Sequence, residues 1–386
     1  MFLRYRTRPH FSQHTSKPDI TSFHTVMKAW AGCAKNLALE EDKNDMKPNI
    51  RVEKLLKVMA QLYDEDSIEW AELKATTITY NSALNVYKNF AAHDHAAAEN
   101  ANRLLELMWE MYNAGDRDVQ PDKVTYDTVI HALINTSEYK FLEMAQGWLE
   151  HMYDFYSKSG NSRLRPEVYT IGVVLKSWSN LSPRHPLGAI RAQKLLDFIL
   201  DQYLCNRQLA VPDAKCYLLT MAAWLKSKSC SPLDRVNFIK DLLKNMERMH
   251  EAGISELRPQ IAHYNVLLNA CGLCRNPIMN EIESERVVEL ALQTYRHIQE
   301  SISVEADEST YFWILLIVRN LMSQEERTKH LEEFFFLHVN KKVWYQRRSG
   351  GFWKIREKML KVHLPIHIDP FQIRGSKKYR KVIILR

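Results

Sequence analysis

Glycine and proline are both scarce, 11 and 13 of 386 residues. That poverty of turn-formers excludes a many-stranded all-β chain and a low-complexity disordered one. No stretch approaches 18 consecutive apolar residues, so no transmembrane helix and no membrane insertion is expected. The phosphate loop GxxxxGK[ST], the dinucleotide fingerprint GxGxxG and the nucleophile motif GxSxG are all missing. Carboxylates are plentiful, yet none falls into a recognisable catalytic pair. The chain is therefore expected to have no catalysis of its own and no cofactor. Its six cysteines come without a signal-peptide pattern, which argues against a disulfide framework. Cys271-Gly-Leu-Cys274 is a lone CxxC with no second pair at zinc spacing, and core packing is the expected role. His330-Leu-Glu332 has the HxE of zinc deaminases without the Pro-Cys-x-x-Cys that must follow. No metal site is expected.

What the chain does have is charge asymmetry and a repeat. The formal net charge is +7, but Lys341–Arg386 alone holds 14 Lys and Arg against Glu357 and Asp369. The remainder is net acidic. A basic C-terminal region suits contact with nucleic acid, and equally a solvated tail that aids solubility. Trp344, Tyr345, Trp353 and Tyr379 interleave with those cations, a composition that suits single-stranded nucleic acid or ribosome docking. Residues 1–17 carry Arg4, Arg6, Arg8 and Lys17 with Ser and Thr and no acid. They fit an organellar targeting segment or the edge of an earlier repeat.

The segment Pro121-Asp-Lys-Val-Thr-Tyr126 recurs as Pro18-Asp-Ile-Thr-Ser-Phe23, Pro212-Asp-Ala-Lys-Cys-Tyr217 and Pro259-Gln-Ile-Ala-His-Tyr264. Weaker copies start at Ala75, Pro166 and Ala306. The seven anchors are 57, 46, 45, 46, 47 and 47 residues apart. Chance recurrence would not hold that register. Counted from each anchor, places +5, +8, +9 and +12 are mostly large and apolar, as in Tyr126, Val129, Ile130 and Leu133. Such steps put four side chains on one helix face. Asp19, Asp122, Asp213 and Asp307 stand where an N-cap belongs. A second amphipathic helix follows each time, for example Ala101, Leu104, Leu105 and Met108, and several end at glycine, as at Gly115, Gly160 and Gly253. A hairpin of this kind cannot bury both stripes alone, so stacking into an α-α superhelix is expected. The domain reading is a segment 1–17, about seven hairpins over 18–322, and a basic C-terminal region 323–386. The acidic stretch near 37–49 reads as a solvated insertion.

The runs Pro121-Asp-Lys-Val-Thr-Tyr-Asp-Thr-Val-Ile-His-Ala, Thr77-Ile-Thr-Tyr-Asn-Ser-Ala-Leu-Asn and His263-Tyr-Asn-Val-Leu-Leu-Asn-Ala resemble the first helix of a pentatricopeptide repeat. Ala101-x-x-Leu-Leu-x-x-Met with Gly115 resembles its second. The resemblance covers about 18–322, with a unit of 45–47 residues that is longer than the family's usual one. It implies an all-α, right-handed α-α superhelix with a basic C-terminal extension. It further implies single-stranded RNA as partner, held along an inner groove at one base per repeat. Organellar RNA processing, stability or translation follows as the function, in a mitochondrion or plastid, alongside other RNA-processing or ribosomal proteins. Two other readings stay open: an α-solenoid scaffold for proteins, and an organellar ribosome-associated component.

Place +6 lies beside the core stripe and +10 one turn further. These places hold His24 and Lys28, Asn81 and Asn85, Asp127 and His131, Gly172 and Lys176, Leu218 and Ala222, Asn265 and Asn269, and Phe312 and Leu316. In the family, base choice depends on +6 together with the acid that closes the repeat. Carried over, the pairs are His24 with Thr76, Asn81 with Asp122, Asp127 with Glu167, Gly172 with Asp213, Leu218 with Gln260, and Asn265 with Asp307. Asn81/Asp122 and Asn265/Asp307 match a standard pair and imply a pyrimidine, preferentially uridine. Lys28, His131, Lys176 and Arg319 are candidates for phosphate contacts.

Overall fold

Polar caps and glycine stops cut the chain into short helices at a fixed rhythm. A computed structural model describes residues 18–37, 47–64, 68–274 and 280–323. The candidate targeting segment, the 341–386 basic tail, His330 and most of the acidic insertion lie outside the described residues. Within them every regular element is helical. The helices are α1 (Ile20–Leu37), α2 (Pro48–Asp64), α3 (Thr77–Phe90), α4 (His95–Asn113), α5 (Lys123–Asn135), α6 (Tyr139–Ser159) and α7 (Val168–Leu181). They continue as α8 (Gly188–Cys205), α9 (Ala214–Lys226), α10 (Pro232–Glu251), α11 (Ile261–Gly272), α12 (Glu281–Glu300) and α13 (Glu308–Leu321). Odd helices start just after the seven anchors. Short 3-10 turns such as Arg117–Val119 and Ser255–Leu257 lead into several of them.

Capping explains the starts. Asp122, Asp213 and Asp307 each accept from a backbone N–H three residues on, at 2.9 Å, and Asp19 does so from Ser22 at 2.8 Å. Each bond satisfies one of the free donors of the first turn. Gly160 explains one stop. It ends α6 at φ 65° with its N–H on the Tyr156 carbonyl. An L side chain pays a steric penalty in that conformation. Gly160→Ala is expected to destabilise by about 1 kcal/mol, read as a shifted urea midpoint with an unchanged m-value.

The fold divides into two units. The first holds the described residues to Leu181 plus Gln193–Val211, and the second holds Ser182–Ala192 and those from Pro212 on. In the first, α1 lies on α3, α3 on α5 and α5 on α7, while α2, α4 and α6 each touch the odd helix before and the odd helix after. In the second, α9 lies on α11 and α11 on α13, with α10 and α12 wedged the same way. Each apolar stripe is thus covered by neighbours, as stacked hairpins require. The core of the first unit includes Phe23, Leu84, Tyr126, Ile130, Tyr153 and Trp178, all fully buried. That of the second includes Tyr217, Met221, Ile239, Leu268 and Cys271. Cys274 is buried too, and burial pushes its thiol up to about 11, so both cysteines of the CxxC are packed thiols.

Candidate nucleic-acid interface

Four pairs of odd helices, α1–α3, α3–α5, α5–α7 and α11–α13, are tied by a polar clasp at their N-terminal ends. The side chain at +6 of one helix meets the residue at +4 of the next. Asn81 donates from Nδ2 to Asp122 Oδ1 at 3.1 Å, and its Oδ1 lies 2.8 Å from the Thr125 hydroxyl. Asn265 repeats this with Asp307 at 2.9 Å and Thr310 at 2.8 Å. His24 Nε2 meets the Thr79 hydroxyl at 2.9 Å, and the Thr170 hydroxyl donates to Asp127 at 2.7 Å. Where Leu218 stands at +6 no such bond forms. There His263, at +4, takes the backbone N–H of Gln260 on Nδ1 and donates from Nε2 to the Ala214 carbonyl at 2.7 Å.

A second tie closes the other end of three of these junctions. Asn89, Asn135 and Asn320 donate to the carbonyls of Ala31, Lys88 and Gly272, at 2.9, 3.1 and 2.9 Å. All three asparagines stand fourteen places after their anchors. The junctions α1–α3, α3–α5 and α11–α13 are therefore held at both ends, which fixes the rotation of one helix against the next.

This geometry differs from the expectation that +6 amides stand open in a groove. Asn81 is half-buried and Asn265 is only 8% exposed. Each amide oxygen is engaged with the next helix, because a threonine hydroxyl sits within reach. The Asn81 and Asn265 amides still have a second N–H, and no hydrogen bond reaches Oδ2 of Asp122 or Asp307 among the described residues. Asp127 and Glu167 do not form a bonded pair. Glu167 is ion-paired to Lys123 instead. Lys28 and Lys176 are exposed, while Asn85, His131 and Asn269 are half-buried. The Asn269 Oδ1 is buried without a hydrogen-bond partner among the described residues.

Burial sets the local electrostatics. It holds the Asp127 carboxyl above its ordinary value, an effect opposed by the Thr170 hydroxyl and Lys123 and reinforced by Glu167. Burial lowers His24, with Lys28 adding to the effect, and lowers His131, with Asp127 opposing. It lowers His263 as well. A histidine with a folded pKa below its unfolded one binds fewer protons when folded, so its contribution is full at neutral pH and lost as pH falls below about 6.5. The second unit is expected to lose stability between pH 7 and pH 5, and His263→Gln to flatten that fall. Denaturant midpoints at the two pH values check it.

Sequence reasoning missed a row of side chains at +3. Ile78, Val124 and Tyr169 begin three consecutive odd helices of the first unit and are 66%, 57% and 65% exposed. Lone exposed apolar residues are commonplace, but these recur at one repeat position, 46 and 45 residues apart. Places +3, +6 and +10 share a helix face. The Tyr169 ring lies 6.0 Å from that of His131, so the faces of α5 and α7 adjoin. The anchor spacing itself carries the signal, since the three residues recur at the same +3 place. In the second unit the same places hold Lys215, Ala262 and Ser309.

Among the described residues no cluster of His, Cys, Asp and Glu is placed to hold a metal ion. A shallow charged hollow runs along α10, lined by Asp241, Lys244, Glu247, Arg248 and Glu251. No helix among them is long and apolar enough to cross a membrane. No protein-family model matches the chain, and no curated protein matches its sequence.

Proposed function

We propose that this chain is a pentatricopeptide-type repeat protein that winds its hairpins into a right-handed superhelix and holds single-stranded RNA on the odd-helix face. It acts by occupancy, without catalysis of its own, in organellar RNA processing, stability or translation. The observation that carries this reading is the +3 row. Ile78, Val124 and Tyr169 offer flat or branched apolar surfaces to solvent, and a polar rung at +6 lies beside each of the first two. Alternating apolar platforms and hydrogen-bonding groups are what unpaired bases need, since each base has a face to stack and an edge to bond. In the first unit, exposed Lys28 and Lys176 supply charge for phosphates.

Fluorescence anisotropy with a labelled 12-nucleotide oligouridine tests the reading. Two phosphate contacts would give a log–log salt slope of about −1.4. No binding at moderate salt would sink it. A slope far steeper, together with binding retained by the 341–386 tail alone, would favour contact through the tail, as in a ribosome-associated component. One observation favours a protein-binding role for the second unit. Its +6 and +10 places include Leu218, Ala222, Phe312 and Leu316, all half-buried and apolar. A peptide ligand would prefer those to the amide rungs.

A further inference from the structure

The rungs are not alike, and Asp127 is the odd one. At Asn81 and Asn265 the +6 amide is locked to an aspartate that caps the next helix and to its threonine. At α5 the corresponding acid, Glu167, is drawn off by Lys123. Asp127 keeps a single bond, from the Thr170 hydroxyl to Oδ1, and no hydrogen bond reaches Oδ2 among the described residues. The carboxylate is half-buried, with exposed Val124 one turn before it on its own helix and exposed Tyr169 on the next. An ionised carboxylate is an acceptor only. Left part-buried with one oxygen unmet, it favours a planar ligand that brings donors.

Resting on the RNA reading above, we propose that the α5 rung selects guanine. Guanine carries two adjacent donors, N1–H and N2–H, on its Watson–Crick edge. Those two donors match the two oxygens of one carboxylate. Oδ1 has a second lone pair, so it accepts from the base while keeping the bond from the Thr170 hydroxyl. Uracil offers one donor, N3–H, between two carbonyl acceptors, and cytosine offers one, N4–H, beside the N3 acceptor, so neither presents two adjacent donors to the carboxylate. Adenine offers one donor, N6–H, beside the N1 acceptor. The rung therefore departs from the uridine preference implied at Asn81 and Asn265.

The test uses the full chain and four 12-nucleotide RNAs: oligouridine, and the same tract with one central guanosine, inosine or adenosine. Guanosine is expected to improve affinity about tenfold over adenosine, the usual discrimination of a bidentate pair. Inosine lacks the N2 amino group and should forfeit most of that gain. Asp127→Asn keeps the bond from Thr170 but presents an N–H to the base. It should abolish the guanosine advantage and tighten binding to oligouridine. Equal affinity for guanosine and adenosine overturns the proposal while leaving the RNA reading intact. So does a guanosine advantage that persists in Asp127→Asn. Failure to bind any of the four RNAs overturns both.

Discussion

Replacing Tyr126 by alanine should destabilise the first unit by about 3–5 kcal/mol. The ring is fully buried between α4, α5 and α6. Its hydroxyl is 2.9 Å from Trp109 Nε1, which donates to it, and 2.7 Å from His151 Nδ1. The ring also stands edge-on to Trp109 and Trp148 and stacks on His151. Truncation therefore opens a cavity and strips partners from two neighbours at once. Tyr126→Phe separates the effects. It keeps the packing and removes only the hydroxyl, so about 1–2 kcal/mol is expected from the unpaired indole N–H. Stacked hairpins need not unfold in one step. The loss is best read by hydrogen exchange over α4–α6, which should collapse in Tyr126→Ala and persist in the second unit.

That tyrosine also shows what the sequence made legible. The anchors mark aromatic +5 places, and the structure puts Phe23, Tyr126 and Tyr217 in the core with full burial. Periodicity reports which face of a helix is covered, because covering is a matter of apolar area. It does not report what the hydroxyl finds. Tyr217 reaches Asn245, and Tyr264 reaches Glu247 and His297, all on the even helices. Partners after the tyrosine, His151, Asn245 and His297, sit 25, 28 and 33 places on, at no fixed spacing.

The rungs were legible only in part, for the same reason. Asn81 and Asn265 stood out as polar residues beside an apolar stripe, and the resemblance named Asp122 and Asp307 as their partners. Thr125 and Thr310 were not singled out, because a threonine at the third helical place reads as ordinary helix-start chemistry. In the folded chain its hydroxyl serves two helices at once, accepting the N-cap N–H and facing the preceding helix's amide. Glu167 is a third partner by position, yet Lys123 carries the opposite charge and pairs with it, whereas a second carboxylate repels it. Register along a chain finds candidates. Competition between side chains decides which of them pair.

The triple variant Ile78→Ser, Val124→Ser, Tyr169→Ser carries the largest expected functional effect. Stacking a base on an apolar or aromatic side chain is worth about 1–3 kcal/mol. Loss of three platforms should therefore weaken oligouridine binding by at least about 100-fold. The fold should hardly notice, since all three side chains are more than half exposed and their removal opens no cavity. This sets the variant apart from Asn81→Ala, which breaks the clasp to Asp122 and Thr125 and so confounds binding with packing. The triple variant should melt with the parent while its anisotropy titration goes flat. Undiminished RNA affinity would mean that the +3 row faces no base, and the proposed interface would then lose the feature that sets it apart from an ordinary packed helix layer.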